Sequence, residues 1–119
     1  LYEWRAGDKQ PFFVALHDFA AMAFCGLWEE RVSTDGEVQG SCTILTTEAN
    51  ALMSTIHDRM PLIVPPDRWA SWRGEEASHD GTSLIDQYPA ERMIPWPVSR
   101  RVGNVANDDP SLPEPLARF

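Results

Sequence analysis

Gln10–Leu16 reads QPFFVAL and Met22–Glu29 reads MAFCGLWE. Both runs are dense in aromatic and β-branched residues, the side chains that suit a pleated, half-buried surface. A short polar joint, His17-Asp18, lies between them, so they read as two paired strands. Ser33-Thr34-Asp35-Gly36 adds an Asp-Gly turn signal, and Gly40–Thr46 (GSCTILT) follows as a third strand. This stretch predicts a mixed, largely antiparallel, barrel-like sheet.

Further along, Thr47 followed by Glu48 and a run of Ala, Leu and Met signals a helix start. The hydroxyl can cap the first turn while the acid favours the positive end of the dipole. The helix is expected from about Glu48 to Ser54, ending near His57 and before Pro61. Leu62-Ile63-Val64 reads as a short buried strand stopped by Pro65-Pro66. Asp67 then opens a second helix, Arg68–Arg73, with Trp69 and Trp72 on one face. Gly74–Ser83 reads as a polar loop, and a third short helix fits either Ser83–Tyr88 or Ala90–Ile94. The Pro-punctuated tail leaves room for a strand around Trp96–Val102. Helices flanking a sheet make the class α+β.

A chain of 119 residues is sized for one domain. Its net charge of −8 excludes a generally basic nucleic-acid coat, whose affinity would need clustered Lys and Arg, but leaves room for a local basic groove. With 43% hydrophobic residues it can fill a core, and no apolar run approaches the roughly 18 residues of a membrane span. Cys25 and Cys42 show neither a CxxC pair nor metal-ligand spacing, and are expected to be reduced core residues of a cytoplasmic protein. The chain opens Leu1-Tyr2-Glu3-Trp4, strand-like from its first residue, which points to further polypeptide upstream.

All three histidines precede an aspartate: His17-Asp18, His57-Asp58 and His79-Asp80. None has the spacing of a metal site, and no metal or other cofactor is expected. His57-Asp58-Arg59-Met60-Pro61 gathers an imidazole, a carboxylate and a guanidinium at a helix end. His titrates near neutrality, as a general acid or base must; the plainer alternative is a helix C-terminus whose His and Arg complement the dipole. In Tyr2-Glu3-Trp4-Arg5, strand alternation puts Tyr2 and Trp4 on one face and Glu3 and Arg5 on the other. A carboxyl among aromatics can serve as an acid, and Trp4 can stack on a base. The alternative is a strand with one solvated face and Trp4 in the core. Thr46-Thr47 offers hydroxyls to a phosphate, with capping as the plainer role of Thr47. Ser99-Arg100-Arg101 reads as solvated surface.

YEW at 2–4, SCTILTTEAN at 41–50, IHDRMP at 56–61, PPDRW at 65–69, PVSRRVGN at 97–104 and NDDPSL at 107–112 resemble the SRAP (SOS-response-associated peptidase) family. The likeness runs from residue 2 to about residue 116. It implies recognition of abasic sites in single-stranded DNA and a covalent thiazolidine link through an N-terminal cysteine, with associated AP-lyase and autopeptidase activity. Glu3 falls on the family's catalytic glutamate and His57 on its active-site histidine. Trp4, Thr46 and Arg59 fall on positions lining the DNA groove. The implied fold is a mixed α/β unit around a barrel-like sheet.

The chain departs from the pattern at its start. Leu1 stands where the family usually has an aromatic, and the cysteine nucleophile is absent. A thiazolidine needs amine and thiol on one residue, so neither Cys25 nor Cys42 can substitute. Residues 1–119 are therefore expected to be the C-terminal portion of one SRAP domain, incomplete at its N-terminal side and unable to crosslink alone. The missing N-terminal half and single-stranded DNA with abasic sites are its expected partners, with no membrane partner. A non-catalytic module binding single-stranded nucleic acid or protein is the competing reading. A true peptidase acting on other proteins is a third.

Overall fold

A computed structural model describes residues 1–75 and 86–117. Its first sheet takes the order β1-β2-β9 and is antiparallel throughout. It is built from β1 (Tyr2–Trp4), β2 (Pro11–Leu16) and β9 (Met93–Pro97). β2 thus pairs with strands on either side that are not the expected one. Its neighbour in sequence, Met22–Glu29, breaks at Cys25 into β3 (Ala23–Phe24) and β4 (Gly26–Val32) and leaves for other partners. Phe19, at a positive φ of 54°, turns the chain away after His17-Asp18.

β4 and β5 (Val38–Ile44) form the expected hairpin, in register from Gly26↔Ile44 to Val32↔Val38. Its turn contains Gly36 at φ 86°, a conformation glycine adopts without steric cost. The Ser33 hydroxyl donates to Asp35 and to the Glu37 carbonyl. Two further antiparallel pairs follow, β3 with β8 (Ile63–Val64) and β6 (Thr46–Glu48) with β7 (Arg59–Pro61). Among the described residues the strands make one three-stranded and three two-stranded sheets, so the expected barrel is not closed.

The expected helix over Glu48–Ser54 is not formed. Thr47 lies within β6, and only a single 3-10 turn, Met53–Thr55, precedes His57. Asn50, rather than Thr47, serves that turn, its side-chain oxygen accepting the Met53 N–H at 2.9 Å. The second helix is present in short form: a 3-10 turn over Pro66–Arg68 runs into α1 (Trp69–Trp72). Of the third, Ser83–Ile85 and most of the Gly74–Ser83 loop lie outside the described residues. Ala90–Arg92 is a 3-10 turn, and β9 begins at Met93, earlier than the expected Trp96.

The core face of the first sheet carries Phe12, Val14, Leu16 and Met93. They pack with Met53, Ile56, Met60, Ile63 and Tyr88. Full burial of such side chains stabilises by roughly 1.5–3 kcal/mol each. The opposite face holds an aromatic row in which Tyr2 meets Phe13 at 5.1 Å and Phe13 meets Trp96 at 5.2 Å between centroids. The C-terminal tail lies against it, the Trp96 indole donating to the Pro113 carbonyl at 2.7 Å. A second cluster joins Cys25, Leu62 and Val64 with Leu45, Trp69 and Trp72.

At its centre three strand breaks close a ring of backbone hydrogen bonds. The Cys25 N–H donates to Leu62, the Leu62 N–H to Leu45, and the Leu45 N–H back to Cys25, at 2.8, 2.9 and 3.0 Å. Cys25 is a free, buried thiol as expected, and burial pushes its pKa up. Cys42 corrects the expectation of two core cysteines: it is free but exposed, on the β4–β5 hairpin. No described helix is long and apolar enough to cross a membrane.

Candidate functional site

β1 is short because the chain turns at once into β2. Arg5 grips Asp8 across the turn, with Nε donating at 2.9 Å, and its guanidinium sits 5.2 Å from the centre of the Phe12 ring. Glu3 lies opposite Phe12 in register. Alternation therefore places Glu3 on the face shared with Leu1 and Phe12, both packed against the main core cluster. It is half-buried, and one carboxylate oxygen accepts the Trp4 N–H at 3.1 Å. Trp4 is 37% exposed, and the same alternation turns it to the opposite face with Tyr2. Burial, then the charge of Asp109, holds the Tyr2 phenol above its ordinary pKa.

His57 follows the 3-10 turn whose Met53 and Ile56 pack under that same core face. The two segments are tied directly: the Ala6 N–H donates to the Ile56 carbonyl at 3.1 Å. The strand carrying Glu3 and the turn carrying His57 are thus neighbours on one side of the sheet. His57 Nδ1 lies 3.1 Å from the Arg59 N, 3.3 Å from the Arg59 carbonyl and 3.2 Å from Asp58 Oδ1.

β6 and β7 bring Thr46 and Arg59 together on one face while Met60 turns into the core. Arg59 Nη2 donates to the Thr46 carbonyl at 2.9 Å and to its hydroxyl at 3.0 Å. Among the described residues these neutral oxygens are the guanidinium's hydrogen-bond partners, with Glu48 opposite Arg59 in register. Arg5, Arg73 and Arg101, by contrast, are paired with Asp8, Glu75 and Asp109. The described residues contain no group of three or more His, Cys, Asp or Glu able to hold a metal ion.

Two supporting residues escaped the sequence reading. Asn50 is buried, and its amide donates to the Tyr88 carbonyl at 2.7 Å while its oxygen starts the turn before His57. The signal was an Asn just ahead of an apolar run, which favours a side-chain-to-backbone bond. Arg100, exposed as read, also clasps the β1–β2 turn through the Lys9 and Asp8 carbonyls at 2.9 and 3.0 Å. A mixed-charge cavity of about 330 Å³ lies elsewhere, lined by Asp67, Arg68, Asp86 and Arg92 among others, and touches neither Glu3 nor His57.

The family profile described as SOS response associated peptidase (SRAP) matches residues 1–105. The chain belongs to the SRAP family. This SRAP chain is 35% identical over 118 residues to abasic site processing protein YoqW of Bacillus subtilis, covering 95% of the chain and 53% of that protein. It is 33% identical over 120 residues to abasic site processing protein YedK of Escherichia coli, covering 97% and 54%. A crystal structure of a Bacteroides thetaiotaomicron protein superposes with a TM-score of 0.84 at 22% identity, over 98% of this chain and 53% of that one. The last likeness speaks to fold alone. The chain spans about half the length of these relatives.

Proposed function

We propose that residues 1–119 form the C-terminal portion of an SRAP domain that processes abasic sites in single-stranded DNA. The observation that carries this reading is the tie between Ala6 and Ile56, which keeps the Glu3 strand beside the His57 turn, with Arg59 and its Thr46 contact two residues further on. Relatives named as abasic site processing proteins support the substrate.

In this reading Glu3 is the acid and base for opening the abasic sugar, and His57 positions sugar and phosphate and relays the proton. Trp4 stacks beside the lesion from the edge of β1, and Thr46 and Arg59 hold backbone phosphates. The nucleophile is an N-terminal cysteine on polypeptide outside this chain. Its amine condenses with the ring-opened aldehyde, releasing water, to give a Schiff base. Its thiolate then adds to the imine carbon, and the nitrogen takes up a proton as the thiazolidine closes. AP-lyase and autopeptidase activity would belong to the same site.

The test is binding of the 119-residue chain to single-stranded oligonucleotides with and without one abasic site, at several salt concentrations. The abasic strand is expected to bind more tightly, and Arg59→Ala to lower the slope of log affinity against log salt by about 0.7, one phosphate's worth. Equal affinity for both strands would overturn the lesion reading. An adduct surviving denaturation, formed by this chain alone, would overturn the assignment of the nucleophile to other polypeptide.

A further inference from the structure

The turn from β1 to β2 holds the chain's only lysine, Lys9. Its φ is 56°, left-handed backbone that crowds a Cβ and that glycine adopts freely. Gly7 stands two residues earlier in the same turn and is not used for it. The conformation is enforced from several sides. The Lys9 N–H donates to the Arg5 carbonyl and the Arg5 N–H to the Gln10 carbonyl, both at 3.0 Å. The Gln10 N–H donates to Asp8 Oδ1 at 3.1 Å. From outside the turn, Arg100 Nη1 donates to the Lys9 carbonyl and Nη2 to that of Asp8. Backbone strain over-determined in this way clusters at ligand-binding and catalytic positions.

Charge adds a second, independent argument. Asp8 is the neighbouring carboxylate, and Arg5 has already taken it. Lys9 is exposed, and among the described residues its ammonium has no carboxylate within ion-pair distance. In a chain of net charge −8, such a cation stands ready for an anion from outside. The turn also adjoins the candidate site on both flanks. Trp4 ends the strand that enters it, and Ala6 within it donates to the Ile56 carbonyl just ahead of His57.

We propose that Lys9 holds a backbone phosphate of the single strand taken by the Glu3–His57 site, a positioning contact in addition to Thr46 and Arg59. An ammonium on a flexible stem meets phosphate as a point charge, which fixes the strand's placement without reading its bases. The inference rests on the abasic-site reading for the strand's identity, while the phosphate contact itself is indifferent to the lesion.

With no other lysine present, acetylation of Lys9 by an N-hydroxysuccinimide ester is read by mass at a single peptide, apart from any at the Leu1 amine. The probe is a single-stranded oligonucleotide carrying a tetrahydrofuran abasic analogue, which has no aldehyde to condense with an amine. Saturating strand is expected to slow acetylation of Lys9 in the 119-residue chain by about fivefold or more, an effect that high salt removes. In binding titrations Lys9→Gly is expected to lower the slope of log affinity against log salt by about 0.7, and Lys9→Arg to keep it. Lys9→Gly also relieves the backbone, so its urea midpoint is expected not to fall. Should it unfold, Lys9→Met, which keeps the stem and removes the charge, is read in its place.

Acetylation unchanged by saturating strand overturns the proposal, as does a Lys9→Gly slope equal to the parent's or a Lys9→Arg slope lowered as far. A lowered slope without any preference for the abasic strand removes the lesion reading and leaves the Lys9 contact. An unchanged slope with that preference intact does the reverse, and a chain that binds neither strand removes both.

Discussion

The body of the molecule and its β4–β5 hairpin use the same strand chemistry with opposite outcomes. In β2, Val14 and Leu16 disappear beneath Met53, Ile56 and Met60, while in β4, Trp28 and Val32 stand in solvent. The alternation is as regular in the hairpin as in the body. What differs is a second layer: the body has the Met53 turn and the Tyr88 segment across from its sheet, whereas among the described residues the hairpin has only Trp72 and Arg73 bordering its base. Local pattern makes a strand; only an opposing surface makes it core.

The contrast can be broken at either end. Met53→Ala, at a fully buried site, is expected to lower stability by about 2–5 kcal/mol in urea unfolding. Asn50→Ala leaves the Met53 N–H and the Tyr88 carbonyl without their partner and is expected to cost about 1–3 kcal/mol by the same measurement. Gly36→Ala, at positive φ, is expected to cost about 1–2 kcal/mol, seen as faster hydrogen exchange confined to β4 and β5. Trp28→Ala is expected to stay within about 0.5 kcal/mol in the 119-residue chain, as for an exposed site. A loss comparable to that of Met53→Ala would show the two regions to be packed alike.

The smallest effect is acid sensitivity. Arg5 holds the Asp8 carboxyl well below its ordinary pKa of 3.8. The Ser33 hydroxyl lowers that of Asp35, and Ser111 followed by Arg101 lowers that of Asp109. A depressed folded-state pKa means the unfolded chain binds protons first as pH falls. The contribution is therefore complete above about pH 4 and is lost below it as each folded carboxylate titrates. Thermal unfolding between pH 5 and 2 is expected to fall less steeply for Asp8→Asn than for the unaltered chain.

Much of this was legible in advance where the signal was local. Asp35-Gly36 specified the hairpin turn, and Trp69 and Trp72 fell on one face of α1. Partners distant in sequence were not legible: β2 pairs with β9, Val14 opposite Pro95, and no nearby residue announces that. The Glu48–Ser54 helix failed because Thr46–Glu48 finds Arg59–Pro61 as a strand partner, leaving Asn50 to start a single turn. Cys42 looked like core because its neighbours are apolar, and burial depends on what lies opposite. For the candidate site, residue types left Glu3 and His57 open between a structural and a chemical role, and it was the resemblance to the SRAP family that singled them out. The Ala6–Ile56 bond joining their segments is backbone to backbone and carries no side-chain signature.

The ring formed by Cys25, Leu45 and Leu62 gives the hairpin a fulcrum. Gly26 and Ile44, the first and last paired residues of the arm, each adjoin a member of that ring, so the base of the arm is pinned to the second cluster by three backbone hydrogen bonds. Leu62 of that ring is also the residue directly after the strand that holds Arg59, so the foot of the arm and the Arg59 strand share one anchor.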